Sequence, residues 1–314
     1  MAEFSASDAA TTGFRVVREH PTAVLFWAVA QLLVGAISTV LLVGMAGPAM
    51  NQLQSMSAGS QDPAASIKAL QQLAPVYVLM LPISLVIYGV IYAAMNRIVL
   101  RPEDSRFGYL RLGADELRQV GVLVLIFLIM VAVYIVSLIL AVVFGAIIGG
   151  VAAVAGGPNA TAAVSALAVI IAMLGVLAAI MFVGTKLSLA SPMTFATGKI
   201  DLFGSWALTK GRFWPIFGTY FLAFILMLLT GLLAMLIIGA IMAAIAGAQG
   251  AMAMFMKPDM SSVTTYFSPA RIVYLVLVSA FTALFLPIWL TPPAAIYRSL
   301  TAGRDRRTVE AVFS

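Results

Sequence analysis

Ser84, Tyr88, Tyr92 and Asn96 recur every fourth residue in an otherwise apolar stretch, which puts their hydroxyl and amide groups in one stripe along a helix. Inside a membrane such a stripe either lines a groove that hydrogen-bonds a headgroup or ties one helix to the next. Tyr297 joins the set as candidate cavity lining. The segments LPISLVIYGVIY (81–92) and LPIWLTPPAAIY (286–297) share LPI and a closing Ile-Tyr at the same spacing. Pro82, Pro287, Pro292 and Pro293 deprive backbone carbonyls of their helical donors, so bends in these two segments could line a cavity. A second set is basic and aromatic: Arg106, Arg111 and Arg118 in one segment, Trp206, Lys210, Arg212 and Trp214 in another. Rings that rest among lipid headgroups, beside cations that reach phosphates, have this composition. These seven residues are the candidate lipid or partner surface.

Catalytic parts are scarce. The chain has no cysteine and one histidine, which excludes disulfides, thiolate metal sites and a cysteine nucleophile. His20 has no second histidine with which to share a metal. Glu103-Asp104 and Asp115-Glu116 are adjacent carboxylates, but among arginines at segment ends they suit helix starts and ion pairs better than acid–base work. No P-loop, G-x-G-x-x-G, H-E-x-x-H or G-x-S-x-G occurs. The expectation is no enzyme, no cofactor and no metal.

The elements that must position these residues follow from composition. Hydrophobic residues make up 62% of the 314 and charged ones 10%, against about 25% charged in a soluble domain. An integral membrane protein is the only economical reading. A helix needs about 20 apolar residues to cross roughly 30 Å of hydrocarbon. Six such runs occur, near 23–45, 74–95, 120–149, 163–185, 214–247 and 272–296, and none holds an acidic, basic or histidine residue. They lack the alternation of membrane β-strands, so the expected fold is an all-α polytopic bundle of six transmembrane helices. Proton-coupled transport is disfavoured, because it relies on ionisable groups within the spans.

All of the 18 basic residues except Lys68, Lys257 and Arg271 fall in alternate connecting segments. The positive-inside rule then makes both termini cytoplasmic. It also accounts for the net charge of +6 as attraction to anionic headgroups on that side; no nucleic-acid partner is needed.

The order of elements recurs three times within one membrane domain over 1–314, in units of approximately 1–100, 101–197 and 198–314, each a basic-aromatic lead-in followed by a hairpin of two spans. Gly13-Phe14-Arg15, Gly108-Tyr109-Leu110 and Gly204-Ser205-Trp206 mark equivalent places. The lead-ins read as amphipathic helices lying in the cytoplasmic interface. The first presents Phe4, Ala10, Phe14 and Val17 on one face. The second starts at Pro102, presents Phe107, Leu110, Ala114 and Leu117, and pairs Arg111 with Asp115. The third surrounds Lys210 and Arg212 with Phe203, Trp206, Phe213 and Trp214. Polar external loops are expected near 48–73 and 249–269. Asn159-Ala160-Thr161 is a glycosylation triplet of no weight, and Gly145 with Gly149 or Gly239 with Ala243 would permit close helix contact, within one chain or between copies.

The stretches GFRVVREHPTAVLFWA (13–28), RFGYLRLGADELRQV (106–120) and KIDLFGSWALTKGRFWPIFGTY (199–220) resemble bacterial multispan proteins of the glycerophosphoryl diester phosphodiesterase membrane-domain type. The likeness runs along nearly the whole chain. In that family the membrane portion can precede a cytoplasmic phosphodiesterase barrel that supplies the metal ligands. Here the sequence ends at Ser314, soon after its last span, and the resemblance assigns no catalytic residue. It implies a bacterial inner-membrane protein linked to lipid or envelope metabolism. The expected function is non-enzymatic binding of membrane lipid, a protein partner or a second copy through the basic-aromatic surface. The alternative is a transporter or lipid translocase working through a cavity near Tyr88, Tyr92 and the sixth-span prolines, without an intramembrane carboxylate.

Overall fold

A computed structural model describes residues 5–56 and 63–313, with side chains except at 54–56, 63–66, 69, 155–161, 163 and 303–313. Phe4 and the side chains of the triplet at 159–161 and of Arg304, Arg306 and Arg307 lie outside what is described. The described chain is all helix and turn: α1 (Ala6–Glu19), α2 (Pro21–Met56), α3 (Pro63–Leu100), α4 (Ala114–Leu187), α5 (Ala190–Thr197), α6 (Leu202–Leu208), α7 (Phe213–Met256), α8 (Val263–Tyr266), α9 (Pro269–Leu290) and α10 (Pro292–Phe313). Six segments are long and apolar enough to cross a membrane, at Pro21–Leu53, Leu70–Leu100, Arg106–Val154, Val164–Thr197, Phe213–Met256 and Pro269–Ala302. Side chains such as Leu128, Leu140, Leu229 and Leu236 face outward along them, a surface that suits lipid and would not be tolerated in water.

Helix starts follow local chemistry. Ser5 caps α1 by accepting from the Asp8 N–H at 3.3 Å, and Asp201 caps α6 by accepting from Gly204 at 2.7 Å. Pro21 and Pro269 occupy first turns, where their missing N–H costs nothing. Helix α4 holds 74 residues and would be about 110 Å long if straight. It is instead a hairpin: a Cβ built on Gly149 would stand 3.3 Å from Ser165 Oγ, and one on Gly184 would stand 3.9 Å from Met130 Cε. Its two arms are the third and fourth spans.

Cohesion is concentrated at the end where the basic segments gather. One cluster joins Val16, Trp27, Met95, Tyr109 and Leu290, and another joins Ala9, Leu189, Ile216 and Ile296. Arg298 donates to the Val99 carbonyl at 3.0 Å across them. At the opposite end α2 meets α3 through Ala46, Ala49, Leu73 and Val76. Helix α7 meets α9 through Ile238 and Met242. Between Val122 and Thr185, Ala168 is the one buried residue of α4 among those described, so the hairpin leaves its neighbours as it rises from the basic end.

Several local expectations change. Helices α2 and α3 extend into the stretch read as a polar loop at 48–73. The stretch at 249–269 packs down, with Met260 and Tyr266 against Val43 and the Asn51 side-chain Oδ1 accepting from the Met260 N–H at 3.1 Å. Each third of the chain contributes two spans, but the lead-ins take three conformations. The first is helix α1, whose buried face is Ala9, Ala10, Thr12, Gly13 and Val16 rather than the larger residues. It docks on α9 and α10: a Cβ at Gly13 would overlap the Ile288 backbone and the Pro287 carbonyl. The second is an irregular loop, and the third is the short helix α6. Gly145 and Gly239 make no close approach.

Candidate functional site

The loop 101–113 replaces the expected surface helix because its backbone is held from several sides. Phe107, Gly108 and Tyr109 all adopt positive φ, at 52°, 62° and 66°, a conformation that non-glycine residues adopt only under outside constraint. The constraint is visible. The Trp27 indole donates to the Gly108 carbonyl at 2.7 Å, Arg97 Nη1 donates to the Tyr109 carbonyl at 2.6 Å, and the buried Tyr109 hydroxyl donates to the Pro102 carbonyl at 3.0 Å. Gly108 presses on Phe26, whose Cβ would be 2.8 Å from an added methyl. His20 lies edge-on to the Tyr109 ring at 5.8 Å, a packing role.

Below the loop sits an ion network. Arg97 is 2% exposed and donates to Glu116, 5% exposed, at 2.5 Å. Asp115 receives Arg118 at 2.9 Å and Arg101 at 3.4 Å. Arg101 and Arg97 both lie over the Phe195 ring, at 4.6 and 5.3 Å from its centroid. Asp115 therefore does not pair with Arg111, as helical spacing suggested. Arg111 donates to Asp104 Oδ1 at 3.0 Å instead, because the segment before Ala114 is not helical.

This loop caps a recess of 470 Å³ between α2 and α3, lined by Trp27, Val34, Val86, Val90, Met95 and Leu110, with Gln31 within it and Arg111 at the rim. Phe107 and Leu112 project outward beside the rim, 74% and 81% exposed. An apolar recess edged by a cation, flanked by two outward apolar side chains, is amphiphilic in the sense of a lipid.

The second half of the candidate surface stands apart. Phe203, Trp206 and Trp214 are exposed around Lys210 and Arg212, on α6 and the start of α7. Phe182, Trp206, Phe213 and Phe217 form a chain of ring contacts at 5.3 to 5.9 Å. Buried behind them, Lys186 donates to the Thr209 carbonyl at 3.2 Å and lies 5.7 and 5.9 Å from the Phe182 and Trp206 rings. The turn 106–109 that begins at Arg106 packs on α2 and α3, and Arg111 borders the recess between them, whereas Trp206 lies on α6 against Phe182 of α4 and Trp214 at the start of α7. Arg118 stands between, beside Gly198. The seven residues form a belt around the basic end, not one patch.

The polar stripe of α3 divides. Tyr88 is 54% exposed toward the membrane, and Ser84 is half-buried. Tyr92 and Pro293 line a cavity of 280 Å³ with Ser188, Ser191, Tyr220 and Trp289; Ser84 and Tyr88 lie outside its lining. Asn96 is buried beneath, donating to Ser191 Oγ at 2.9 Å. Ser191 in turn donates to Gln119 Oε1 at 2.7 Å, and Gln119 Nε2 returns a bond to the Ser191 carbonyl at 3.1 Å. Tyr297 packs on the Leu189–Ile216 cluster. Hydropathy reading did not single out Arg97, Gln119 or Lys186, and took Glu116 only as a helix-start carboxylate among arginines, since each closes or opens an apolar run and reads as its boundary. A basic residue and an acid next to a span end were the available signal.

Comparison of the chain with protein-family models, curated proteins and solved structures finds no match.

Proposed function

We propose that this protein is a non-enzymatic component of the bacterial inner membrane, related to the membrane portion of the glycerophosphoryl diester phosphodiesterase family, that holds an anionic phospholipid at its cytoplasmic face. One acyl chain occupies the recess between α2 and α3, and the phosphate meets Arg111 and Arg106. The observation that carries this reading is the 470 Å³ apolar recess with Arg111 on its rim. A phosphodiester is a strong acceptor for a guanidinium, and Arg111 gives up its two contacts to Asp104, with Oδ1 at 3.0 Å and the main-chain carbonyl at 3.4 Å, to meet it. Trp206, Lys210, Arg212 and Trp214 rest in the headgroup layer on the other side of the molecule and fix its depth.

Lipids retained by the purified protein, measured by mass spectrometry, test the site. A basic residue near an anionic surface contributes about 1 kcal/mol, so Arg106→Ala with Arg111→Ala should lower retained phosphatidylglycerol about tenfold or more. Val90→Trp, which fills the recess, should act alike. Retention equal to the parent in both variants rejects the site. Passage of labelled phospholipid across reconstituted vesicles would replace static binding with the translocase alternative.

A further inference from the structure

The 280 Å³ cavity beside Tyr92 is chemically unlike the recess under the basic loop. Its lining holds Tyr92, Ser188, Ser191, Tyr220 and Trp289 among aliphatic side chains and no charged group. The nearest buried cations are committed elsewhere, Lys186 to the Thr209 carbonyl and Arg97 to Glu116. The Tyr220 hydroxyl is fully buried and makes no hydrogen bond. The Ser188 hydroxyl is its nearest polar neighbour and donates to the Thr185 carbonyl at 2.8 Å; its lone pairs remain open to a donor, but the two hydroxyls do not meet in hydrogen-bonding geometry. A buried polar group without a partner is uncommon in a folded protein and calls for an explanation.

The cavity also has a definite place. Leu123, Ile126 and Gly184 of the α4 hairpin form one wall, and Tyr220 and Ala223 of α7 the other. Beyond it α7 turns its buried residues Ile238 and Met242 toward α9, while between Val122 and Thr185 the one buried residue of α4 among those described is Ala168. Tyr92 of α3 and Trp289 of α9 complete the lining, and Trp289 is 46% exposed, so the cavity opens on the apolar outer surface of the spans rather than being sealed. A ligand seated here enters from the membrane with apolar chains trailing outward, and its polar end must be uncharged. A phosphate would lose its hydration with no counter-charge in the lining, at a cost too large to recover.

We infer that this cavity is a second lipid site, selective for a neutral glyceride of the diacylglycerol class, whose free hydroxyl or ester carbonyl bonds Tyr220. The site does not depend on the phospholipid reading, since it shares no residue with the recess.

Native mass spectrometry of the full chain in detergent, titrated with 1,2-dioctanoylglycerol or with dioctanoyl phosphatidylglycerol, tests the inference. The parent should bind one dioctanoylglycerol, with the phosphatidylglycerol unable to displace it. Tyr220→Phe keeps the ring and should weaken binding about three- to tenfold, the loss of one hydrogen bond. The same variant without ligand should be as stable as the parent or more so, because it relieves an unpartnered hydroxyl; a merely structural tyrosine would lose stability instead. Gly184→Leu, or Ile126→Trp should the first not fold, fills the cavity and should abolish binding. Arg106→Ala with Arg111→Ala should leave it unchanged. Binding by Tyr220→Phe and the filled variant equal to the parent, or displacement by phosphatidylglycerol at equal concentration, would overturn the proposal.

Discussion

Glu116 and Arg97 are a pair that neither could survive without. Each is buried at the basic end, and their bond holds the first turn of α4 against the last turn of α3 while Arg97 also fixes the Tyr109 carbonyl. Removing one partner of a buried pair costs about 3–5 kcal/mol, because the survivor keeps its desolvation penalty without compensation. Glu116→Ala should therefore lower thermal stability in detergent by about that amount and release the loop 101–113. Replacing both, as Arg97→Met with Glu116→Leu, should recover most of the stability and still leave the loop loosened, since the carbonyl of Tyr109 loses its donor. A Glu116→Ala protein that melts with the parent would refute the role. The pair is separated by 19 residues and by an irregular loop, so no local spacing rule could have joined its members.

At the scale of elements, α1 shows why side-chain size misleads in a membrane protein. The sequence suggested a helix lying in the membrane interface with Ala10, Phe14 and Val17 on one face, yet the face that docks on the protein is Ala9, Ala10, Thr12, Gly13 and Val16. Without a strong hydrophobic drive between helices, association rests on close backbone approach, which favours small residues. Gly13 meets main chain, the Ile288 backbone and the Pro287 carbonyl, which cannot swing aside as a side chain would. Gly13→Val should detach α1, with a destabilisation of about 1–3 kcal/mol or more and faster protease cleavage near His20. Thr11→Val on the exposed face of the same helix should do neither; equal proteolysis of the two variants would show that α1 is not held there. Of the four prolines whose bends could line a cavity, Pro293 lines the one beside Tyr92, Pro82 lines neither the recess nor that cavity, and Pro287 serves as the seat for α1.

For the whole molecule, the arrangement of charge gives a sidedness. Helices α1 and α10 pack together with the loop 101–113 and α5 to α7 at one end, while Lys257 and Arg271 lie at the other. Arg271 is held there between the Tyr266 and Tyr274 rings at 4.7 and 4.5 Å. On the positive-inside bias we propose that the first end is the cytoplasmic one. Fluorescent-protein fusions at both termini should be active inside the cell, and an alkaline phosphatase fused after Lys257 should be active outside. A phosphatase active at either terminus would invert the topology and move the phospholipid recess to the other leaflet. The same asymmetry separates the functions we propose: a charged rim for an anionic headgroup, and an uncharged cavity for a neutral one.

The amino-acid sequence by itself determined the solvent, the helical class and the six spans, because hydropathy is a sum over neighbours along the chain and needs no partner. Tyr92, Asn96, Arg111 and Trp206 were legible as polar or basic-aromatic residues at span ends for the same reason. Which of them share a site was decided only by tertiary structure. The recess lies under the loop 101–113, which Trp27 and Arg97 hold in a left-handed turn, and the cavity lies where α3, the α4 hairpin, α7 and α9 meet around Tyr220. Both depend on contacts between residues far apart in sequence, whose energy no periodicity along the chain records.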